Sequence, residues 1–249
     1  MTRPKGTAAA TGRSLRLYRG ADAPHAAMDA LYARFVRPGD LVFDVGAHVG
    51  DRIAAFRRLG ARVVALEPQP GPARALRLLH GRDASVTLVV AAAGDAAGEV
   101  VFHLNSANPT VSSVSAEFVA GAAGAPGWEG QVWDRTITVP ATTLDRLVAK
   151  HGRPAFVKID VEGFEDRVLA GLSMPLPALS FEFTTIARDV ALRCLGRLAA
   201  LGAYGFDVAL GESQVLSFGR FVAWDEMAAH LMALPQAANS GDVYALLQP

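Results

Sequence analysis

The sequence of 249 residues is poor in cysteine and carries no net charge. Cys194 is the only cysteine, so the chain contains neither an intrachain disulfide nor a zinc or redox site built on paired cysteines. Its helical neighbours predict a packed, unreactive thiol. The 24 basic and 24 acidic side chains cancel, which argues against a protein that mainly grips nucleic-acid phosphates. We therefore expect no nucleic-acid partner.

Long apolar runs are also missing. No segment approaches the roughly 18 consecutive apolar residues of a membrane-spanning helix, and no apolar stretch follows the basic residues at the N-terminus as it would in a signal peptide. These absences predict a cytoplasmic protein without a membrane partner. Residues 1–14 are expected to form a flexible tail, and residues 15–249 a single domain, because no linker or internal repeat divides them.

What the chain does contain is an alternation of short apolar runs and helical patterns. With 51% of its residues hydrophobic and 19% charged, it is too apolar to be disordered. Apolar runs separated by helices are typical of buried strands in a mostly parallel, doubly wound α/β sheet with helices on both faces. Seven such strands are predicted, at residues 41–45, 62–66, 86–90, 155–160, 178–183, 204–209 and 243–247.

Two segments depart from this alternation. Residues 98–104 and 131–139 both read as β-strands, and we expect them to pair as an added β-hairpin. The segment between them, residues 105–130, is rich in Ser, Ala, Gly and Pro. A connection of this length is usually either functional or disordered.

The end of the first strand carries a candidate ligand site. Asp44 is followed by Gly46 and Gly50, so a carboxylate and two glycines stand where a strand turns into a helix. Gly46 would let the backbone approach a ligand, and the helix N-terminus offers free amides. An acid here repels a pyrophosphate but attracts an ammonium or sulfonium group. The dinucleotide fingerprint is absent, because His48 occupies its middle glycine position. A tight turn with no ligand is the alternative.

The end of the second strand is also acidic. Glu67 lies 17 residues beyond Gly50, one helix and one strand later. An acid at this place can accept hydrogen bonds from both hydroxyls of an adenosine ribose. After the third strand, the small residues Ala92 and Ala93 offer a flat surface for an adenine ring.

A third acidic group follows the fourth and fifth strands. Asp160 is expected at the tip of the fourth strand, with Glu162 just beyond it, and Glu182 ends the fifth. These side chains can serve as general base, as ligand anchors or as ligands of a hard metal ion. Three neighbouring carboxylates repel each other unless a cation lies among them. A sulfonium ligand, Lys158 and a divalent metal all remain open as that cation.

Together these motifs resemble the FkbM-type family of S-adenosylmethionine-dependent methyltransferases. The resemblance extends from about residue 41 to the C-terminus, and it implies a seven-stranded, Rossmann-like methyltransferase domain. The motifs that carry it are FDVGAHVG (43–50), ALEPQP (65–70), AAAGDAAGEVVF (91–102), TTLDRL (142–147), VKIDVEGFEDRVLAGL (157–172) and GDVYALL (241–247).

The resemblance also implies roles for individual residues. Asp44, Gly46 and Gly50 would hold the methionine part of the cofactor, and Glu67 its ribose. Asp160 would lie near the methyl group. The remaining expected cofactor contacts are Ala47, His48, Pro68, Ala92 and Ala93. In this family the position of His48 is more often Asn. Residues 105–113 resemble a family loop and are a candidate lid.

The function implied is O-methylation of a hydroxyl on a small-molecule acceptor, sugar-like or of natural-product type. Asp160, Glu162 and Glu182 are the catalytic candidates, and the same three residues are the candidate ligands if a divalent metal is needed. One alternative is a non-catalytic cofactor-binding or assembly module. Another is an NAD-dependent oxidoreductase, which the missing glycine fingerprint and the absence of a Tyr-x-x-x-Lys relay disfavour. The oligomeric state cannot be read from the chain.

Overall fold

A computed structural model of the protein describes residues 7–19 and 25–249. Within these residues the chain forms ten strands, which are β1 (Leu41–Val45), β2 (Arg62–Leu66), β3 (Val86–Val89), β4 (Ala92–Ala93), β5 (Gly98–Leu104), β6 (Arg135–Thr142), β7 (Phe156–Ile159), β8 (Ala178–Thr184), β9 (Tyr204–Leu210) and β10 (Ser240–Leu247). The α-helices are α1 (Thr7–Arg19), α2 (His25–Tyr32), α3 (Asp51–Arg58), α4 (Pro70–His80), α5 (Ala116–Ala122), α6 (Leu144–His151), α7 (Glu165–Ala170), α8 (Arg188–Leu201) and α9 (Trp224–Ala233). Short 3-10 turns lie at Pro109–Val111 and Gln236–Ala238.

Seven strands form one sheet in the order β3-β2-β1-β7-β8-β10-β9. The first five strands of that row run parallel to one another, whereas β10 is antiparallel to both β8 and β9. The predicted Rossmann-like, mostly parallel sheet is therefore confirmed. From β1 the chain proceeds outward to β2 and β3, then returns to β7 and continues in the opposite direction. This reversal opens a crevice at the carboxyl ends of β1 and β7.

Side chains cover both faces of the sheet, which explains why its central strands are uninterrupted apolar runs. Val42 packs with Phe56 and Phe156 on one face. Phe43 and Ile159 belong to the apolar cluster on the other, as the alternation of side chains along a strand requires. Burial of each such large side chain stabilises the fold by about 1.5–3 kcal/mol. No helix in the described residues is long and apolar enough to cross a membrane.

The predicted β-hairpin is present, and it belongs to a second, three-stranded sheet. Strands β5 and β6 are antiparallel, and the short β4 pairs with β6 in parallel. The predicted second strand, 131–139, was placed too early, because β6 begins at Arg135. Residues 131–134 close the preceding loop instead: Gln131 accepts a hydrogen bond from the Asn105 side chain (2.9 Å), and Asp134 accepts one from the backbone of Ser106 (2.9 Å).

The segment 105–130 is more structured than its composition indicates. It contains the Pro109–Val111 turn and helix α5, whose first turn is capped by the Ser115 hydroxyl accepting from the Phe118 N–H (3.0 Å). Phe118 packs edge-on against Trp128, with ring centroids 5.2 Å apart. The aromatic side chains thus form a small core within a segment that is otherwise rich in Ala and Gly.

The expected flexible tail is only partly tested. Residues 1–6 lie outside the described residues, but residues 7–14 form the first part of α1. Ala10 and Ser14 are buried, and the Arg13 guanidinium donates to the Ala107 carbonyl (2.7 Å). The expectation of a loose chain is wrong for residues 7–14, because this helix has a face that packs on the protein. Cys194 is buried in α8, where burial raises the pKa of its thiol well above the ordinary value, as predicted for an unreactive cysteine.

Gly46 allows the ends of β1 and β7 to meet. Its φ is +89°, and a Cβ on it would lie 1.8 Å from the carbonyl oxygen of Asp160. The Asp160 N–H in turn donates to the Val45 carbonyl (2.9 Å). Gly46 was expected to let the backbone approach a ligand. In the structure a glycine is needed at this position because the end of β7 approaches too closely for a side chain.

We expect Gly46→Ala to destabilise the protein by about 3 kcal/mol or more, because positive φ and a backbone clash act together. Gly39→Ala is the matched control, since Gly39 has nearly the same φ (+88°) and no atom within 4 Å of its Cβ position. The control should cost only about 1–2 kcal/mol. Denaturant unfolding measures both; equal losses would show that the contact with Asp160 does not matter.

Candidate functional site

A cavity of about 590 Å³ opens at the carboxyl ends of β1, β2, β7 and β8. Its wall contains eleven of the twelve residues predicted from the sequence, namely Asp44, Gly46, Ala47, His48, Glu67, Pro68, Ala92, Ala93, Asp160, Glu162 and Glu182. The exception is Gly50, which precedes α3 in the left-handed conformation (φ +79°) and does not line the cavity. The structure thus brings the acidic strand ends into one space.

Asp44 is a buried carboxyl group with an unused oxygen. Asp44 is 1% exposed, and its Oδ2 atom has no hydrogen-bond partner among the described residues. Burial, and after it the nearby Asp51 carboxylate, raise the pKa of Asp44 from 3.8 to about 7. An unpartnered buried acceptor is costly unless a ligand satisfies it. A positively charged ligand group beside Asp44 fits this requirement.

Glu67 is held in place by two backbone amides. Its Oε2 accepts from the His48 N–H (2.9 Å) and its Oε1 from the Gln69 N–H (2.7 Å). Burial raises the pKa of Glu67 to about 8 even though both amides favour the charged form. Each carboxylate oxygen accepts two hydrogen bonds, so each keeps one position for a ligand hydroxyl. The side chain is therefore fixed in orientation and still able to bind a diol.

The three remaining acids form one group, here called the acidic cluster: Asp160, Glu162 and Glu182. Carboxylate oxygens of the three lie within 4.8 Å of one another. Beneath them Lys158, fully buried, donates to Asp160 Oδ2 (3.1 Å) and to Asp242 Oδ1 (2.8 Å). The single ammonium charge is thus shared between the acidic cluster and an aspartate of β10. The oxygens of the cluster can hold a cation.

The three acids of the cluster differ in proton affinity. Burial acts to raise the pKa of Asp160, but the charges of Lys158 and Arg52 outweigh it and the pKa is lowered. Burial, then the neighbouring carboxylates of the cluster, raise the pKa of Glu162 and of Glu182 well above the ordinary value. The proton affinity of Asp160 is therefore lower than that of the two glutamic acids. Neighbouring acids with separated pKa values are typical of acid–base sites.

Glu162 is presented by an unusual turn. It has a φ of +59°, and Gly163 after it has a φ of +82°. The Ser113 hydroxyl donates to the Glu162 carbonyl (2.7 Å), and a Cβ on Gly163 would lie 2.7 Å from the Phe118 side chain. The loop before α5 thus fixes this turn. Residues 107–112 of that loop line the cavity, and its opening and closing as a lid remains a prediction.

Several residues of the cavity wall were not foreseen. Three buried polar atoms in the wall have no hydrogen-bond partner in the part of the chain that the structure describes: Gln69 Oε1, Trp128 Nε1 and Thr184 Oγ1. Arg52 also lines it and pairs with Asp51 (2.7 Å) and Glu212 (3.0 Å). Thr184 lies two residues after Glu182 on β8, so the period of a strand would have found it. No sequence signal distinguishes Trp128.

Comparison with known proteins identifies the family of this chain. The sequence profile described as the methyltransferase FkbM domain matches residues 44–190, which is more than half of the chain. The chain belongs to the FkbM methyltransferase family. The resemblance inferred from the motifs is therefore confirmed, and the cofactor of this family is S-adenosylmethionine. The protein is thus an S-adenosylmethionine-dependent methyltransferase.

Solved structures similar to this FkbM methyltransferase are distant. A precorrin-6y C5,15-methyltransferase from Geobacter metallireducens is 13% identical, with a TM-score of 0.46 over 90% of this chain and 87% of that one. An O-methyltransferase from Bacillus cereus, solved in complex with SAH, is 11% identical, with a TM-score of 0.44 over 98% and 92%. An S-adenosylmethionine-dependent O-methyltransferase from Thermotoga maritima is 12% identical, with a TM-score of 0.44 over 98% and 71%. Comparison with curated proteins gives no match.

Asp44→Asn should make the protein more stable above pH 7. Below about pH 4 the Asp44 carboxyl is protonated in both the folded and the unfolded chain. Between its ordinary pKa of 3.8 and its raised pKa of about 7 only the unfolded chain loses the proton, so wild-type stability falls as the pH rises. Asn cannot ionise. We expect the variant to exceed the wild type by about 1–4 kcal/mol at pH 8 and by little at pH 4.

Denaturant unfolding of both proteins at a series of pH values measures this difference. A difference that stays constant from pH 4 to pH 8 would show that Asp44 is not an uncompensated buried carboxyl.

Proposed function

We propose that the protein transfers the methyl group of S-adenosylmethionine to a hydroxyl oxygen of a small-molecule acceptor, sugar-like or of natural-product type. The observation that carries this proposal is the acidic cluster, which lines the same cavity as Asp44 and Glu67. Methyl transfer to a hydroxyl releases a proton, and a carboxylate beside the reacting oxygen can receive it.

Residues at the β1 and β2 ends fit the cofactor. The unpartnered Oδ2 of Asp44 would face the positively charged methionine part, and the free positions on Glu67 would bind the two ribose hydroxyls. Ala92 and Ala93 would border the adenine, beside the unpartnered amide oxygen of Gln69. When bound, the cofactor supplies a methyl group on a positively charged sulfur. The chain's task is then to align the acceptor with it and to remove a proton.

Asp160 is our candidate for the proton acceptor. Lys158 beside it favours its charged form and its pKa is lowered, whereas burial raises the pKa of Glu162 and of Glu182. The two glutamic acids can bind other polar groups of the acceptor and so fix its orientation. This division of roles gives each member of the acidic cluster one task.

The charge of the cavity favours a neutral or cationic acceptor over a nucleic acid. Carboxyl groups in its wall outnumber guanidinium groups: the former are Asp44, Asp51, Glu67, Asp160, Glu162, Glu182 and Glu212, and the latter Arg13 and Arg52. A phosphate backbone requires a surplus of positive charge at its binding surface. The same excess of acid disfavours a phosphorylated small molecule.

Transfer of radioactive label from methyl-tritiated S-adenosylmethionine tests the proposal. The protein is incubated with simple sugars and hydroxylated aromatic compounds, with their amine analogues, and with RNA. We expect label on hydroxyl compounds only, and we expect Asp160→Asn to lower the turnover about 100-fold or more. Asp189→Asn, the same change at an exposed position of α8, is the matched control.

Other outcomes identify the alternatives. Label on amines or RNA would overturn O-methylation of a small molecule. Full turnover in Asp160→Asn would remove its role as proton acceptor. S-adenosylhomocysteine binding without transfer to any of the three acceptor classes would favour a non-catalytic cofactor-binding module.

A further inference from the structure

We propose that the acidic cluster, together with Thr184, is a binding site for one divalent cation of the Mg²⁺ or Mn²⁺ type. This inference goes beyond the proposed function, because the cation can be bound and measured with neither cofactor nor acceptor present. It rests on the spacing of the cluster's oxygens, on a nearby positive charge that is shared with other acids, and on a buried hydroxyl in the wall of the same cavity that has no partner among the described residues.

The spacing of the oxygens fits a single ion. Oxygen ligands of Mg²⁺ lie about 2.1 Å from the metal, so neighbouring ligands are about 3.0 Å and opposite ligands about 4.2 Å apart. One oxygen from each of Asp160, Glu162 and Glu182 already lies within 4.8 Å of the other two. Rotation of the flexible glutamate side chains can bring the three oxygens to such separations around one ion. Carboxylate and hydroxyl oxygens are the ligands that such hard ions prefer.

Positive charge close to the cluster is already committed to other acids. Lys158 divides its hydrogen bonds between Asp160 and Asp242. Of the two arginines in the cavity wall, Arg52 binds Asp51 and Glu212, and Arg13 donates to the Ala107 carbonyl. Glu162 is 6% exposed and lines the same cavity. A divalent ion would supply the missing charge.

The Thr184 hydroxyl is the second, independent observation. Thr184 is 5% exposed and lines the same cavity, and its Oγ1 has no hydrogen-bond partner in residues 7–19 and 25–249. It is separated from Glu182 by one residue on β8, so both side chains leave the same face of the strand. Glu182 Oε2 is also buried and has no partner in that part of the chain. A buried hydroxyl and a buried carboxyl oxygen on one strand face are both satisfied by an ion or by its bound water.

This site is compatible with the proposed role of Asp160. A carboxylate has lone pairs on both oxygens, so an acid that binds the ion through one oxygen can still receive a proton on the other. The ion would lie between Asp160, which follows β7, and Glu182 on β8. An acceptor hydroxyl bound to it would lose its proton more easily, because the positive charge lowers the pKa of a coordinated hydroxyl.

Electron paramagnetic resonance with Mn²⁺ alone tests the site. MnCl₂ is titrated into the full-length protein after treatment with EDTA, and the loss of the free-ion signal reports binding. We expect one equivalent to bind at submillimolar concentration and Mg²⁺ to compete for it. Glu162→Gln and Glu182→Gln should each weaken binding about tenfold or more. Glu212→Gln, which alters another carboxyl of the same cavity, is the control and should bind as the wild type does.

The outcomes separate this proposal from the proposed function. Absence of Mn²⁺ binding by the wild type would overturn the cation site. Binding by both Glu162→Gln and Glu182→Gln that equals the wild type would also overturn it, as would a loss of binding in Glu212→Gln as large as in those two variants. Thermal unfolding of each variant checks its fold, and Glu182→Gln alone suffices if Glu162→Gln does not fold. Mn²⁺ binding without methyl transfer to any hydroxyl would overturn the acceptor proposal and leave the cation site standing.

Discussion

The site depends on the close approach of two strand ends, those of β1 and β7. Only a residue without a Cβ can stand at position 46, because the Asp160 carbonyl occupies the space that a side chain would need. This contact brings Asp44 and Asp160 to the same cavity, and the sheet order leaves the crevice between them uncovered. The position of both aspartates in one cavity wall thus follows from one packing constraint in the sheet.

The cavity concentrates buried acids at a cost to stability. Asp44, Glu67, Glu162 and Glu182 all have raised pKa values, and in each case burial is the largest cause. A folded chain without ligands tolerates these groups only because much of the remaining sheet is apolar on both faces. Ligands that carry positive charge relieve this cost on binding. The same groups that weaken the fold are therefore the ones that a positively charged ligand would satisfy.

The sequence predicts the acids at strand ends because each follows an apolar run. Asp44, Glu67 and Asp160 could be assigned in this way, and the family motifs then supplied their roles. Helix α5 could not, since it depends on the packing of Phe118 against Trp128 rather than on local propensity. Gln69, Trp128 and α1 could not be assigned to the cavity either, because they reach it through long-range contacts that leave no periodic pattern in the sequence.

Calorimetric titration with S-adenosylhomocysteine tests the central claim most directly, namely that the β1 and β2 ends hold the cofactor. The account predicts one binding site in the wild type, loss of binding in Glu67→Ala and no heat from NAD. An unchanged fold in Glu67→Ala, checked by thermal unfolding, assigns that loss to the ribose contact. Equal binding of S-adenosylhomocysteine by wild type and variant, or no binding by folded wild-type protein, would contradict the account.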